Sequence, residues 1–210
     1  MKKLFLIVAL ALFVFNVNAQ DDEKSNKDSS AISLGIVAGV NFSTLTGDDD
    51  ENLSSLTGIH AGVEADIPLS EKISFQPGLI YSCQGADYED SEDGGVLYDG
   101  KFNLSYLNVP LIIAIEFADG FTFEAGPQLG FLTSAKDEYD DGMGDSGEDD
   151  IKDFLKSTDF SASVGLGYRM ESGLNIGARY NIGLSNVNDF DGAGDIKNGV
   201  FQISIGYFFN

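Results

Sequence analysis

The chain has 210 residues, with 34 Asp and Glu against 12 Lys and Arg, and a net charge of -22. That length suits one domain or two small ones. The charge excludes a nucleic-acid partner, which needs a basic patch, and a single Cys excludes an intrachain disulfide or a Cys-clustered metal site. Yet the chain is 43% hydrophobic and holds 16 Phe, 8 Tyr and 25 Gly, too apolar for a disordered acidic polymer.

At the start, Lys2 and Lys3 precede an unbroken apolar run from Leu4 to Phe15, and Val17 and Ala19 set small residues before Gln20. This pattern predicts a cleavable signal peptide over 1–19. The apolar run is shorter than the roughly 20 residues a membrane-spanning helix needs, and no Cys follows it to carry a lipid anchor. Residues 20–30 are polar and without periodicity, which predicts a flexible tail.

From residue 31 onward the hydropathy period is two, the signature of strands. The first strand sets Ile32, Leu34, Ile36, Ala38, Val40 and Phe42 on one face, with Gly35, Gly39 and Asn41 on the other. The second alternates Ile59, Ala61, Val63, Ala65 and Ile67 with His60, Gly62, Glu64 and Asp66, and the third alternates Phe75, Leu79, Tyr81 and Cys83 with Gln76, Gly78, Ser82 and Gln84. Strands four and five run from Leu107 to Phe117 and from Phe121 to Phe131. Strands six, seven and eight run from Phe160 to Tyr168, from Leu174 to Leu184 and from Phe201 to Phe209. Each is about 10 residues long, the length a tilted strand needs to cross a bilayer, and Phe often closes the apolar face, as in the aromatic girdles of membrane barrels.

The connections alternate in length. Pro68-Leu69-Ser70-Glu71, Ala118-Asp119-Gly120 and Glu171-Ser172-Gly173 are tight turns. The other four, near 44–55, 85–100, 134–157 and 187–198, are predicted to be long loops. Short turns on one side and long loops on the other predict an all-β fold, an eight-stranded antiparallel up-and-down transmembrane β-barrel in the outer membrane over residues 31–210. An even strand number would put both termini in the periplasm.

The acids collect in the long connections: Asp48 to Glu51, six between Asp87 and Asp99, nine between Asp137 and Asp153, and Asp189, Asp191 and Asp195. They are expected to form a solvated, self-repelling rim. Asp189, Asp191 and Asp195, spaced by Gly192 and Gly194, are the most site-like group for a hard cation such as Ca²⁺, although the spacing of an EF-hand and its distal Glu are absent.

The inward face would hold His60, Glu64, Asp66, Glu116, Glu124, Arg169 and Arg179. An eight-stranded barrel is only wide enough for its own side chains, and unpaired buried charges are costly. Arg169 and Arg179 are therefore expected to meet Glu124, Glu64 or their neighbours, giving a plugged lumen. His60, with a Ser and Glu64, is the only seed for a hydrolytic site, and the plainer reading is a polar core His. Cys83 reads as a small filler on the apolar face. No catalytic, cofactor or metal residues are assigned.

Five pieces, in order, carry a family resemblance. Ile73-Ser74-Phe75-Gln76-Pro77-Gly78-Leu79-Ile80-Tyr81-Ser82 with Gln84-Gly85-Ala86, then Tyr106-Leu107-Asn108-Val109-Pro110-Leu111, then Phe123-Glu124-Ala125-Gly126-Pro127-Gln128-Leu129-Gly130 are three of them. Gly165-Leu166-Gly167-Tyr168 and Ala178-Arg179-Tyr180-Asn181-Ile182-Gly183-Leu184 complete the set. Together they resemble the PorT-like outer-membrane barrel proteins of Bacteroidetes. The resemblance implies an outer-membrane barrel and no single activity, although the founding member is tied to protein secretion. It also implies insertion by the barrel-insertion machinery, which reads a terminal aromatic residue; here Phe209 is followed by Asn210.

The expected function is that of a small outer-membrane barrel with acidic outer loops, structural or interaction in role and non-enzymatic. Its expected partners are the lipid bilayer and a protein at the loops. The alternatives are an accessory barrel of a secretion or adhesion system, an outer-membrane lipid-modifying enzyme, and a soluble lipocalin-type barrel, which would need its apolar face inward.

Overall fold

The alternation that marks the strands also decides which way they face. The computed structural model describes residues 31–47, 53–91, 97–140, 146–189 and 194–209; the signal peptide and polar tail lie outside these. Among the described residues ten strands form: β1 (Ser33–Gly47), β2 (Leu53–Ser54), β3 (Leu56–Pro68), β4 (Ile73–Ser91), β5 (Leu97–Ala118), β6 (Phe121–Asp140), β7 (Ser146–Asp150), β8 (Thr158–Arg169), β9 (Leu174–Gly183) and β10 (Ile196–Phe209). Eight of them close a ring in the order β1-β3-β4-β5-β6-β8-β9-β10, with β10 returning to β1 from Leu34↔Phe209 to Gly47↔Ile196. All ring pairings are antiparallel. Closure satisfies the backbone without a sheet edge, the condition for strands to cross a bilayer.

The apolar faces point out. Ile36, Val63, Leu166, Ile203 and Ile205 are exposed, while Asn41, His60, Ser82, Ser163, Asn181 and Gln202 are buried inside. This is the reverse of a soluble barrel and removes the lipocalin reading. Rings of aromatics flank the apolar band. Near the short-turn rim Phe117, Phe121 and Tyr168 stack in sequence, with Tyr207 against Phe209. Higher up, Phe42 stacks on Phe201, and Tyr180 stands beside Phe201 on β9. From Phe121 to Phe131 is about ten residues, or roughly 25 Å of height for a strand tilted by about 40°.

The short turns form as expected. Leu69 and Ser70 both donate to the Ile73 carbonyl, and Gly120 and Gly173 adopt φ of 75° and 90°, the left-handed region that favours glycine.

Two of the four expected long loops are mostly strand. β4 and β5 stay paired from Gly85↔Asn103 to Ser91↔Leu97. β6 runs on to Asp140 and gains β7 as a further neighbour, from Lys136↔Asp150 to Asp140↔Ser146. The predicted loops 85–100 and 134–157 are thus corrected to a four-stranded extension standing above the girdle, with the short β2 added to its β4 edge at Leu53↔Tyr88 and Ser54↔Asp87. The reason is physical: past the bilayer the outer face no longer has to be apolar, so the hydropathy alternation ends while the hydrogen-bond ladder continues.

A bulge explains a second departure. The β5–β6 register shifts between Ser105 and Tyr106, leaving Thr133 extra on β6, where its hydroxyl donates to the Ser105 carbonyl at 2.8 Å. Below it, Glu124, Gln128 and Leu132 face in; above it, Ala135 does. One extra residue reverses the faces of a strand. Opposite, Gly85 has φ 142°, and its amide leaves the ladder to donate to Ser43 Oγ at 2.9 Å. A Cβ there would lie 1.7 Å from the Phe102 carbonyl oxygen, so only glycine fits.

Candidate functional site

The lumen is built in layers. The upper layer is a belt of neutral polar side chains. Asn41 Nδ2 donates to Ser82 Oγ at 2.9 Å and to the Cys83 carbonyl at 2.7 Å. Asn41 Oδ1 accepts from Gln202 Nε2 at 2.8 Å. Gln202 Oε1 accepts from Asn181 Nδ2 at 2.8 Å, and Asn181 Oδ1 from Ser163 Oγ at 2.6 Å. The belt therefore crosses β4, β1, β10, β9 and β8. Each member sits at an inward position that the period-two pattern had selected.

His60 joins this belt from β3. Its Nδ1 lies 2.7 Å from Asn41 Oδ1 and its Nε2 lies 2.9 Å from Ser204 Oγ. An amide oxygen only accepts, so Nδ1 carries the proton and Nε2 accepts from the serine. The Ser–His–Asn order has the hydrogen-bond directions of a nucleophile, base and orienter. The void it faces measures about 20 Å³ and is walled by Val37, Ile80, Gln128 and Arg179. That is room for about one water and for no acyl substrate. Sequence reasoning had offered Glu64 as the acid; the third member is instead Asn41, and the serine is Ser204, which lies 144 residues away and was not identifiable from local spacing.

The lower layer is ionic. Arg179 Nη2 donates to Glu124 Oε2 at 2.8 Å, and Nη1 to Glu64 Oε1 at 3.4 Å. Arg169 pairs with Asp66 and lies over the Phe208 ring, 3.8 Å from its centroid. Gln76 donates to the other oxygen of Asp66 at 3.0 Å. Both arginines face inward, as expected, and Arg169 takes Asp66 rather than either glutamate. Among the described residues no buried side-chain nitrogen or oxygen lacks a hydrogen-bond partner, so the lumen is a satisfied polar core.

At the long-loop rim the inward face turns apolar. Leu45, Ala86, Leu104, Tyr106, Leu132, Ala135 and Val187 form one buried cluster. This plug was not expected, because the strand endings that supply it were read as loops. Beneath it, Asn198 bridges Asp159 at 3.2 Å and the Tyr106 hydroxyl at 3.4 Å.

The extension carries its own charge pattern. On its outer face Lys101 pairs with Glu138 at 3.0 Å, Asn103 donates to Glu138 at 2.7 Å, and Lys136 pairs with Glu148 at 2.5 Å. The hydrogen bonds and charges of those glutamates raise the pKa of both lysines. The expected self-repelling rim is therefore corrected in part: two cross-strand ion pairs hold it, beside like-charge neighbours such as Glu138↔Glu148 and Glu89↔Asp99. On the inner face the Tyr88 ring crosses Gly100, where a Cβ would sit 2.4 Å from Cζ, packs on Phe102, and donates to Asp137 at 2.9 Å.

Burial first, then the Asp137 hydrogen bond and the neighbouring charges, push the Tyr88 phenol up to about 12. An unfolded tyrosine ionises near 10. The stability Tyr88 contributes is thus complete below about pH 10 and is lost as pH rises from there towards 12. In a tyrosinate absorbance titration, Tyr88→Phe should remove one phenol's amplitude from the late, high-pH phase. Loss of that amplitude from the ordinary phase at about pH 10 would mean that Tyr88 is not held by Asp137.

For the cation reading, Asp195 accepts from Asn186 at 2.9 Å and Asp191 lies outside the described residues. Among the described residues no three acids, His or Cys gather as metal ligands. Cys83 is half-buried on the outer face, with its Sγ 4.0 Å from Ser105 Oγ, consistent with a filler.

A closed eight-stranded ring with an apolar exterior, aromatic girdles and a filled polar lumen defines a transmembrane β-barrel. The chain belongs to the outer membrane protein beta-barrel domain family, whose model matches residues 18–189, and it is an outer-membrane protein. A search of curated proteins finds no match. Among solved structures it is similar to Ail, the attachment invasion locus protein of Yersinia pestis, at 20% identity over 84% of this chain and 98% of that one, with a TM-score of 0.45. It is similar to Neisserial surface protein A at 15% identity over 85% and 99%, with a TM-score of 0.49. It is also similar to the N-terminal β-barrel domain of Pseudomonas aeruginosa OprF at 12% identity over 84% and 97%, with a TM-score of 0.38.

Proposed function

We propose that this protein is a non-enzymatic surface barrel whose strand extension, β4 to β7, presents a charged platform to a macromolecular partner outside the cell. The observation that carries this is the extension itself. About eight residues of each of β4, β5 and β6 rise beyond the girdle, and cross-strand ion pairs and the Tyr88–Phe102 contact hold them. A paired, cross-linked element of that kind has no work to do for the membrane span. In this reading residues 1–19 are removed on export, 20–30 form a periplasmic tail, both termini are periplasmic, and the barrel-insertion machinery assembles residues 31–210. The narrower PorT-like kinship belongs with this reading, and an accessory role in secretion or adhesion would use the same platform.

The lipid-modifying alternative draws on the Ser204–His60–Asn41 arrangement. The 20 Å³ void beside it speaks against a substrate, and a structural belt accounts for the same hydrogen bonds. Membrane fractionation with protease shaving of intact cells tests the proposal. Cleavage is expected only in the connections after β1, β4, β6 and β9. Cleavage at 69–72, 119–120 or 170–173 would reverse the topology. His60→Ala is expected to leave the cellular lipid profile unchanged, and an altered profile would restore the enzymatic reading.

A further inference from the structure

The apolar cluster at the long-loop rim does not fill its own space. Above Leu45, Leu104 and Val187 lies a cavity of about 410 Å³, roofed by Ile151, Phe154 and Leu155 of the 3₁₀ turn after β7 and its flank. Phe102 and Ile196 close its sides, and Asn188 is the single polar member of the lining.

The bilayer does not account for this surface. On the same strands the lipid-contacting side chains point outward, whereas these point in, above the girdle. Nor does the barrel need it for closure, because Leu104 and Val187 at its floor are already almost wholly buried, at 1% exposure each. The cavity is open on one side, where Phe154 is half exposed, but its lining is apolar; a closed apolar cavity of about 150 Å³ accommodates benzene, so this one has room for on the order of a dozen carbons.

We propose that the cavity is a binding site for a neutral, apolar small molecule, aliphatic or monoaromatic. Size excludes a helix as occupant. A single turn of helix is a cylinder about 10 Å across and 5.4 Å high, on the order of 420 Å³, so one turn would exhaust the space. Charge excludes an anionic amphiphile. The lining holds no cation; of the lysines that flank it in sequence, Lys156 and Lys197 lie outside the lining and Lys152 is committed to the Thr133 carbonyl at 2.8 Å. The acidic neighbours of Lys152, Asp150 and Asp153, would oppose a carboxylate or phosphate head.

The test is a titration of the full chain in lipid nanodiscs, methyl-labelled at Ile, Leu and Val, with toluene as probe and benzoate as its charged counterpart. Detergent is avoided because its tails would compete. Methyl signals of Leu104, Val187, Ile151 and Leu155 are expected to shift saturably with toluene, while those of lipid-facing Ile203 and Leu166 shift linearly through partitioning. Benzoate is expected to produce no saturable shift. Leu155→Trp, which fills the cavity from a half-buried position, should weaken binding at least tenfold, and Ile151→Trp provides a second filling variant if the first does not fold. Linear shifts at all sites would overturn the proposal. So would saturable binding that survives the filling variants, or benzoate binding as well as toluene.

Discussion

Arg179→Met should destabilise the barrel by about 3–5 kcal/mol, the usual loss when one partner of a buried ion pair is removed. The guanidinium holds Glu124 at 2.8 Å and Glu64 at 3.4 Å, with both glutamate side chains only 7% exposed. Without it, two carboxylates share a space that admits about one water. The effect belongs to the uncompensated carboxylates, not to the pair itself. The triple variant Arg179→Met, Glu64→Gln, Glu124→Gln should therefore recover most of the loss, because a neutral lumen incurs no charge burial. Urea midpoints in lipid vesicles measure both. A loss below about 1 kcal/mol for the single variant would place the pair in the range of solvated ion pairs and so mean a hydrated, screened lumen.

Ile203→Arg probes the opposite surface. Ile203 is 45% exposed and lies between Val40 and Ala178 midway along its strand. In a bilayer an arginine at that depth costs about 2–4 kcal/mol. Glu89→Arg is the control. Glu89 lies in the extension opposite Asp99, beyond the girdle, where a surface change stays within about 0.5 kcal/mol and relief of a like-charge pair favours the variant. Equal effects at the two positions would contradict the assignment of the apolar exterior to lipid.

Much of this architecture was legible in one dimension. Ile36 against Asn41, Val63 against His60 and Ile203 against Gln202 needed only a count by twos. Strand length and the alternation of short and long connections favoured the polar face inside, and the exposed apolar and buried polar faces of the structure decided it against the lipocalin-type alternative. That both arginines would meet carboxylates across the lumen followed from the same count plus the cost of leaving a charge unpaired; which carboxylate each takes did not. The strands' true ends were not legible. Beyond Phe131 and before Leu107 the outer residues meet water, so Lys101 fell outside any predicted strand and Glu138 and Glu148 read as loop even though their backbones remain paired.

The amino-acid sequence by itself determined the class of fold, the eight crossings, the two faces of each strand and the filled lumen. All of these follow from a local period of two and from the dielectric on either side of a sheet. Tertiary structure alone decided three things. The bulge at Thr133 reverses the face of β6. Ser204 is brought to His60 across 144 residues. The turn 151–155 folds over Leu104 and Val187 to leave an apolar cavity. Each depends on register or on closure of the ring, and these are set by pairings between distant segments that no local pattern encodes.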